Sequence, residues 1–145
     1  IRRSQKNLSI IVLLLTCLFV MVACSTQSSE QSITDLQWQW TEMEETEPSS
    51  ISLVPEPRNY TLLLNADGSF ELKADCNMVL GTYEIEGNSI SFKMGPSQLA
   101  YCGENSLDVQ YLDFLGQIES FNLDAGKLIL NLMDGSGKMT FENIS

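Results

Sequence analysis

The sequence predicts a mainly β, α+β domain: a curled antiparallel sheet or small β-barrel of about eight strands with one helix. Three observations carry this. Short segments of strand-like composition, the clearest alternating apolar and polar residues, recur between Leu36 and Glu142. Turn residues separate them, as in Asn65-Ala66-Asp67-Gly68, Gly87-Asn88, Asp124-Ala125-Gly126 and Asp134-Gly135-Ser136. Around residues 107–115 the spacing becomes helical. Curling or closing such a sheet limits its exposed edges. At 145 residues the chain suffices for one core.

Leu36, Trp38 and Trp40 alternate with glutamines, the period of a half-buried strand over Leu36–Met43. Two tryptophans invite a carbohydrate platform, but core tryptophans of a small β domain are the stronger reading. Glu44 to Pro57 reads as a long loop crowded with prolines and acids. Tyr60–Leu64 and Ser69–Ala74 read as a hairpin about Asp67-Gly68. Asn65, Asp67 and Gly68 lack the first acidic ligand and closing glutamate of a calcium loop. Met78–Gly81 reads as a bend, followed by strands Thr82–Glu86 and Ser89–Met94.

Leu107, Tyr111, Leu112 and Leu115 form an apolar stripe, with Asp108, Gln110 and Asp113 opposite. Asn105 or Ser106 suits the N-cap, and Gly116 the position after the helix. So short a helix must dock on a sheet to be stable. Strands at 118–123, 127–132 and 137–142 complete the pattern, with Leu128, Leu130, Leu132, Met139 and Phe141 expected inward.

Charge is lopsided: 8 Lys plus Arg against 19 Asp plus Glu. Three of the basic residues, Arg2, Arg3 and Lys6, precede an apolar run from Leu8 to Cys24. Loss of that run leaves five basic residues against nineteen acids, a net −14. Such a domain is not expected to bind nucleic acid, because phosphate contacts rest on Lys and Arg. The chain has no histidine, which excludes His-dependent triads, His metal sites and histidine pH switches. Carboxylate-only and Ser-Lys chemistry stay open.

The apolar run is shorter than the roughly 20 residues of a membrane span and ends on small residues, so it reads as an export signal. A short membrane anchor is the alternative. Met21-Val22-Ala23-Cys24 resembles a bacterial lipobox, with Met21 where Leu is usual. The expected organisation is a lipoprotein signal peptide at 1–23, a flexible tether at 24–34 and a folded domain at 35–145. Cys24 would carry the lipid, and the polar stretch from Ser25 to Ser32 suits a tether. The membrane is then a partner through that anchor. By resemblance to sorting signals, Ser25 allows the outer membrane in a Gram-negative cell; otherwise the outer face of the plasma membrane is expected.

With Cys17 in the signal and Cys24 lipidated, Cys76 and Cys102 remain, an even pair in an exported domain. A structural disulfide is the preferred reading; two free thiols and a redox pair are the alternatives. Neither cysteine lies in a Cys-x-x-Cys motif or beside a basic residue.

Several elements occur in an order that resembles the META domain, also called HslJ-like. They are Tyr60-Thr61-Leu62, Asp67-Gly68, Lys73-Ala74-Asp75-Cys76-Asn77, Gly81-Thr82-Tyr83, Ala100-Tyr101-Cys102, Ser106-Leu107 to Phe114-Leu115, and Asp134-Gly135 to Met139-Thr140-Phe141. The core motif is Asp75, Cys76, Asn77, Gly81 and Tyr83, with Asp75 where many members have glycine. The resemblance implies a small β-rich domain with a helix, often secreted or lipid-anchored, with some members linked to heat shock or drug resistance. It carries no catalytic residues. The expected function is therefore a non-enzymatic, lipid-anchored domain of the cell envelope, with a binding or stress-related role and an envelope protein as candidate partner. No catalytic, metal-binding or cofactor-binding residue and no cofactor is expected. The alternative is an inhibitor of an extracellular protease or lysozyme, presenting residues 44–57. A hydrolase built on Asp75 and Glu104 ranks third, because nothing in the sequence positions the two.

Overall fold

The computed structural model describes residues 32–145. The expected signal at 1–23, the lipidation residue Cys24 and most of the expected tether lie outside the described residues. The packed domain begins earlier than residue 35. Ile33 is buried, and its carbonyl accepts a 2.9 Å bond from Trp38 Nε1. An apolar side chain beside an indole has more to gain in the core than in a tether.

Among the described residues nine strands form one antiparallel sheet: β1 (Gln37–Thr46), β2 (Ser49–Leu53), β3 (Tyr60–Leu64), β4 (Ser69–Ala74), β5 (Asn77–Glu86), β6 (Ser89–Met94), β7 (Ile118–Asp124), β8 (Lys127–Leu132) and β9 (Gly137–Asn143). Among the described residues one α-helix, α1 (Asp108–Gly116), lies between β6 and β7. Eight strands close a barrel in the order β1-β3-β4-β5-β6-β7-β8-β9, with β9 returning to β1. The strand β2 stands outside the ring. It pairs with Glu42–Thr46 of β1, while β3 takes the start of the same edge at Gln37–Gln39. The β6–β7 seam is thin, with the single register pair Ser89↔Ser120.

Two expected features change here. The loop expected over residues 44–57 is the end of β1, a two-residue turn at Glu47-Pro48 and the strand β2. Prolines confine themselves to the turn and to positions past the strand, so the ladder between them keeps its donors. The bend expected at Met78–Gly81 is continuous strand, because β5 pairs with β4 from Asn77 to Thr82. Gly81 serves close packing there: a Cβ would overlap the Phe70 ring and the Lys93 carbonyl.

Alternation decides which side chains fill the barrel. Trp38, Trp40, Leu62, Leu64, Phe70, Leu72, Leu128, Leu130, Met139 and Phe141 are all buried. Both tryptophans are core residues, with the Trp40 indole donating to the Glu42 carbonyl at 2.9 Å. A bulge between Trp40 and Glu42 resets the phase of β1, so that Met43 turns inward.

The helix packs on the barrel through Tyr111, Phe114 and Leu115, all buried. Leu107 and Leu112, expected in this stripe, are only partly buried. Tyr111 stacks on Trp40 at 5.3 Å between ring centroids and meets Tyr60 edge-on at 5.7 Å. Gly116 is the last helical residue rather than the residue beyond, and the closing bond runs from Gln117 N–H to the Phe114 carbonyl. Ser106 supports the start of the helix, its hydroxyl accepting from Asp108 N–H at 3.2 Å.

Candidate functional site

The motif residues gather where the β4–β5 turn meets the long connection from β6 to α1. Asp75 and Cys76 form the turn, closed by the register pair Ala74↔Asn77. Asp75 has φ of 57°, in the left-handed region, and its N–H donates to the Asn59 carbonyl at 2.7 Å. Aspartate tolerates this region better than most residues, and glycine better still. The conformation suits glycine or, as in this chain, aspartate.

Cys76 and Cys102 are joined by a disulfide, with Cα atoms 5.6 Å apart. Asn77, 4% exposed, is the hub beside it. Its Oδ1 accepts from Ala100 N–H at 2.8 Å, and its Nδ2 donates to the Ala100 carbonyl and to Asp108 Oδ2, both at 3.0 Å. Three short bonds satisfy most of a buried amide's capacity. They fix the connection at Ala100 and the first residue of α1 to the end of β5. Tyr60 Oη adds a fourth tie, accepting from Leu107 N–H at 2.8 Å.

Asp108 was expected on the solvent side of the helix and is instead 7% exposed, facing Asn77. The pair was missed because neither residue announces burial in sequence. The other motif residues lie away from this corner. Tyr83 is buried and donates to the Asn65 carbonyl at 2.7 Å, closing the β3–β4 hairpin. Burial, then the charges of Asp35 and Asp67, push the Tyr83 phenol above its ordinary value.

Two clefts flank the corner and share Pro55 and Leu107 in their walls. One, of about 270 Å³, is lined by Glu56, Asn59, Asp75 and the stretch from Cys102 to Leu107. It brings Asp75 and Glu104 to one surface together with Glu56. The second, of about 230 Å³, lies between β2 and the start of the helix, with Trp40, Met43, Leu53 and Val54 as apolar wall and Glu45 and Gln110 as polar groups. A third groove crosses the outer face of β7, β8, β9 and β1. Its lysines are held by glutamates, Lys127 to Glu142 at 2.8 Å and Lys138 to Glu44 at 2.9 Å. Hydrogen bonding to these carboxylates raises both ammonium groups above their ordinary value. Among the described residues no group of three or more Cys, Asp or Glu is arranged to hold a metal ion.

This architecture defines a class: a small, disulfide-stapled, antiparallel β-barrel whose interior is filled by its own side chains and packed by one helix. The chain belongs to the META domain family, which matches residues 31–143. Three solved structures share the fold. The NMR structure of a protein from Burkholderia xenovorans is 21% identical, with TM-score 0.61, covering 77% of this chain and 83% of that one. A DUF4847 family protein from Bacteroides vulgatus is 11% identical, with TM-score 0.62, covering 79% and 96%. A lipocalin-like protein from Bacteroides uniformis is 18% identical, with TM-score 0.53, covering 74% and 96%. No curated protein matches the chain.

Proposed function

We propose that this chain is a non-enzymatic, HslJ-like lipoprotein: a binding domain tethered to the cell envelope through lipid on Cys24, with a role in stress or drug resistance. The observation that carries the binding reading is the filled barrel. Trp38, Trp40, Phe70, Tyr111 and Phe141 occupy the interior, so recognition falls to the surface. Membership of the META family and the lipocalin-like fold support a binding domain. The Met21-Val22-Ala23-Cys24 motif and the polar stretch after it support the lipid anchor. Ser25 favours the outer membrane in a Gram-negative host, and the outer face of the plasma membrane otherwise. The strong acidity argues against nucleic acid and for an envelope protein as partner. Absence of histidine, and of any sequence feature that positions a catalytic carboxylate pair, argues against catalysis.

Two experiments test this reading. Globomycin-sensitive processing, with fatty-acid labelling lost in Cys24→Ala, is expected; unchanged processing would count against the anchor. Deletion is expected to sensitise cells to envelope stress or drugs, and wild-type survival under every challenge would overturn that role. A second reading, an inhibitor of an extracellular protease or lysozyme, draws on the β1–β2 hairpin, whose strand β2 exposes Ile51 and Leu53. Dose-dependent slowing of such an enzyme by the purified chain would establish it.

A further inference from the structure

We infer that the outer edge of β2 is a docking strand, on which an extended cationic segment of a partner protein adds as one more antiparallel or parallel strand. This rests on the binding-domain reading and assigns its surface and the chemistry of its partner.

The first ground is the edge itself. Among the described residues β2 pairs with β1 alone. Val54 N–H donates to the Thr41 carbonyl at 3.0 Å, in register with Leu53↔Glu42. Antiparallel ladders alternate, so Ser52 and Ser50 also face β1, and Ile51 and Leu53 turn their N–H and C=O groups to the open side. Natural edges are blunted with lysine, proline, inward charge or covering segments. The run Ser49-Ser50-Ile51-Ser52-Leu53 contains no charge and no proline. Its outward side chains are apolar and exposed, 67% for Ile51 and 74% for Leu53. Among the described residues every other strand has a neighbour on both sides, although the β6–β7 seam is thin, whereas β2 has β1 on one side alone.

The second ground is what surrounds it. The edge borders the 230 Å³ cleft, whose far wall is Leu107 and Gln110. An added strand would lay alternate side chains into that cleft and beside Ile51 and Leu53. Residues 32–145 carry eighteen acids and five bases, and Glu45, Glu47 and Glu56 lie in or around this hairpin. A second copy of the chain would bring its own acids against Glu45, Glu47 and Glu56, which flank the edge. A segment alternating basic and apolar residues meets opposite charge and apolar surface together.

The test uses the full chain in zwitterionic micelles and an eight-residue peptide alternating lysine and valine. The peptide is expected to slow amide exchange at Ile51 and Leu53. Its affinity is expected to fall at least tenfold when glutamate replaces lysine, or when N-methylation blocks its pairing edge. Leu53→Pro removes an N–H that β1 does not use, so it is expected to cost tenfold or more in affinity while leaving the remaining amide spectrum unchanged. Should that variant unfold, Ile51→Lys with Leu53→Lys is expected to weaken binding to the same extent by charging the edge. No binding, or binding indifferent to both variants, would overturn the assignment. So would protection of the same amides by rising protein concentration alone, which would make the occupant a second copy. A partner captured from the envelope that crosslinks away from β2 would overturn this edge assignment and leave the binding-domain reading standing. Failure to capture any partner would count against that reading instead.

Discussion

The amide of Asn77 donates to the carboxylate of Asp108 at 3.0 Å, across 31 positions of sequence and with both residues nearly excluded from water. Strand end and helix start are thereby one unit. Removing one partner leaves the other buried and unmet, which costs about 1–3 kcal/mol, more where a charge is involved. Asn77→Ala is expected to lower stability by about 3 kcal/mol in urea titration. Asn77→Asp places two carboxylates together. A shared proton relieves their repulsion, so its deficit should be largest at neutral pH and shrink as pH falls.

Reduction of the Cys76–Cys102 bond releases the chain between them. On the chain-entropy account this costs roughly 3–4 kcal/mol. Cys76→Ala with Cys102→Ala is expected to lower the midpoint of unfolding accordingly, and reductant should have no effect on the double variant. Hydrogen exchange should rise first at residues 99–107, whose other ties are the Asn77 and Tyr60 bonds.

Asp75 separates conformation from recognition. Its φ of 57° predicts that Asp75→Gly keeps full stability, while Asp75→Val loses about 1–2 kcal/mol. Thermal melts decide this. A ligand lost from the stable glycine variant would locate a contact at the carboxylate in the acidic cleft.

Gly81→Ala drives a methyl group into Phe70 and the Lys93 carbonyl. Overpacking of this kind costs about 1–3 kcal/mol. Phe70→Leu in the same chain is expected to recover part of the loss, since the ring is one of the two obstacles, and the shortfall measures the carbonyl.

Tyr111 is fully buried, and among the described residues its hydroxyl has no hydrogen-bond partner. Tyr111→Phe is therefore expected to be more stable by about 1 kcal/mol at neutral pH. The same residue shapes the alkaline limb. Burial raises the Tyr111 and Tyr83 phenols, and glutamate partners raise Lys127 and Lys138. All four hold their protons longer folded than unfolded. Their stabilisation is complete below the ordinary values near pH 10 and is lost as pH climbs through the raised ones. Denaturant midpoints should fall above pH 10, less steeply in Tyr111→Phe.

Much of the barrel was legible because alternation is a local signal. Leu128, Leu130 and Leu132 face inward because each points to the side its neighbour avoids. The turns at Asp67-Gly68 and Gly126 were equally open, since positive φ at glycine needs no tertiary information. The strand β2 was hidden by its prolines, although Ser-Ile-Ser-Leu already alternates. Its flanking breakers outweighed a five-residue pattern. Gly81 was misassigned for a different reason: a ring crossing from β4 belongs to packing, which no single segment records. The burial of Asp108 was invisible for the same cause, because a carboxylate in a first helical turn is equally at home in water. The cysteine pairing could be reached by elimination, while the role of Asn77 depended on knowing what lay across from it.

The ring is completed by β1 and β9, with Trp38 opposite Asn143. The first strand of the barrel thus waits for the last. A chain emerging from its N-terminus can form the β3–β4 and β4–β5 hairpins early, but the barrel has no means of closure until β9 is present. Contacts this distant in sequence make assembly slow and nearly all-or-none. Deleting β9 alone would leave β1 with β2 and β3 on one side only and β8 with an open side. The product should behave as a sticky, half-made sheet rather than a slightly shorter domain. Arrival of β9, rather than of any one hairpin, sets the moment at which this barrel can close.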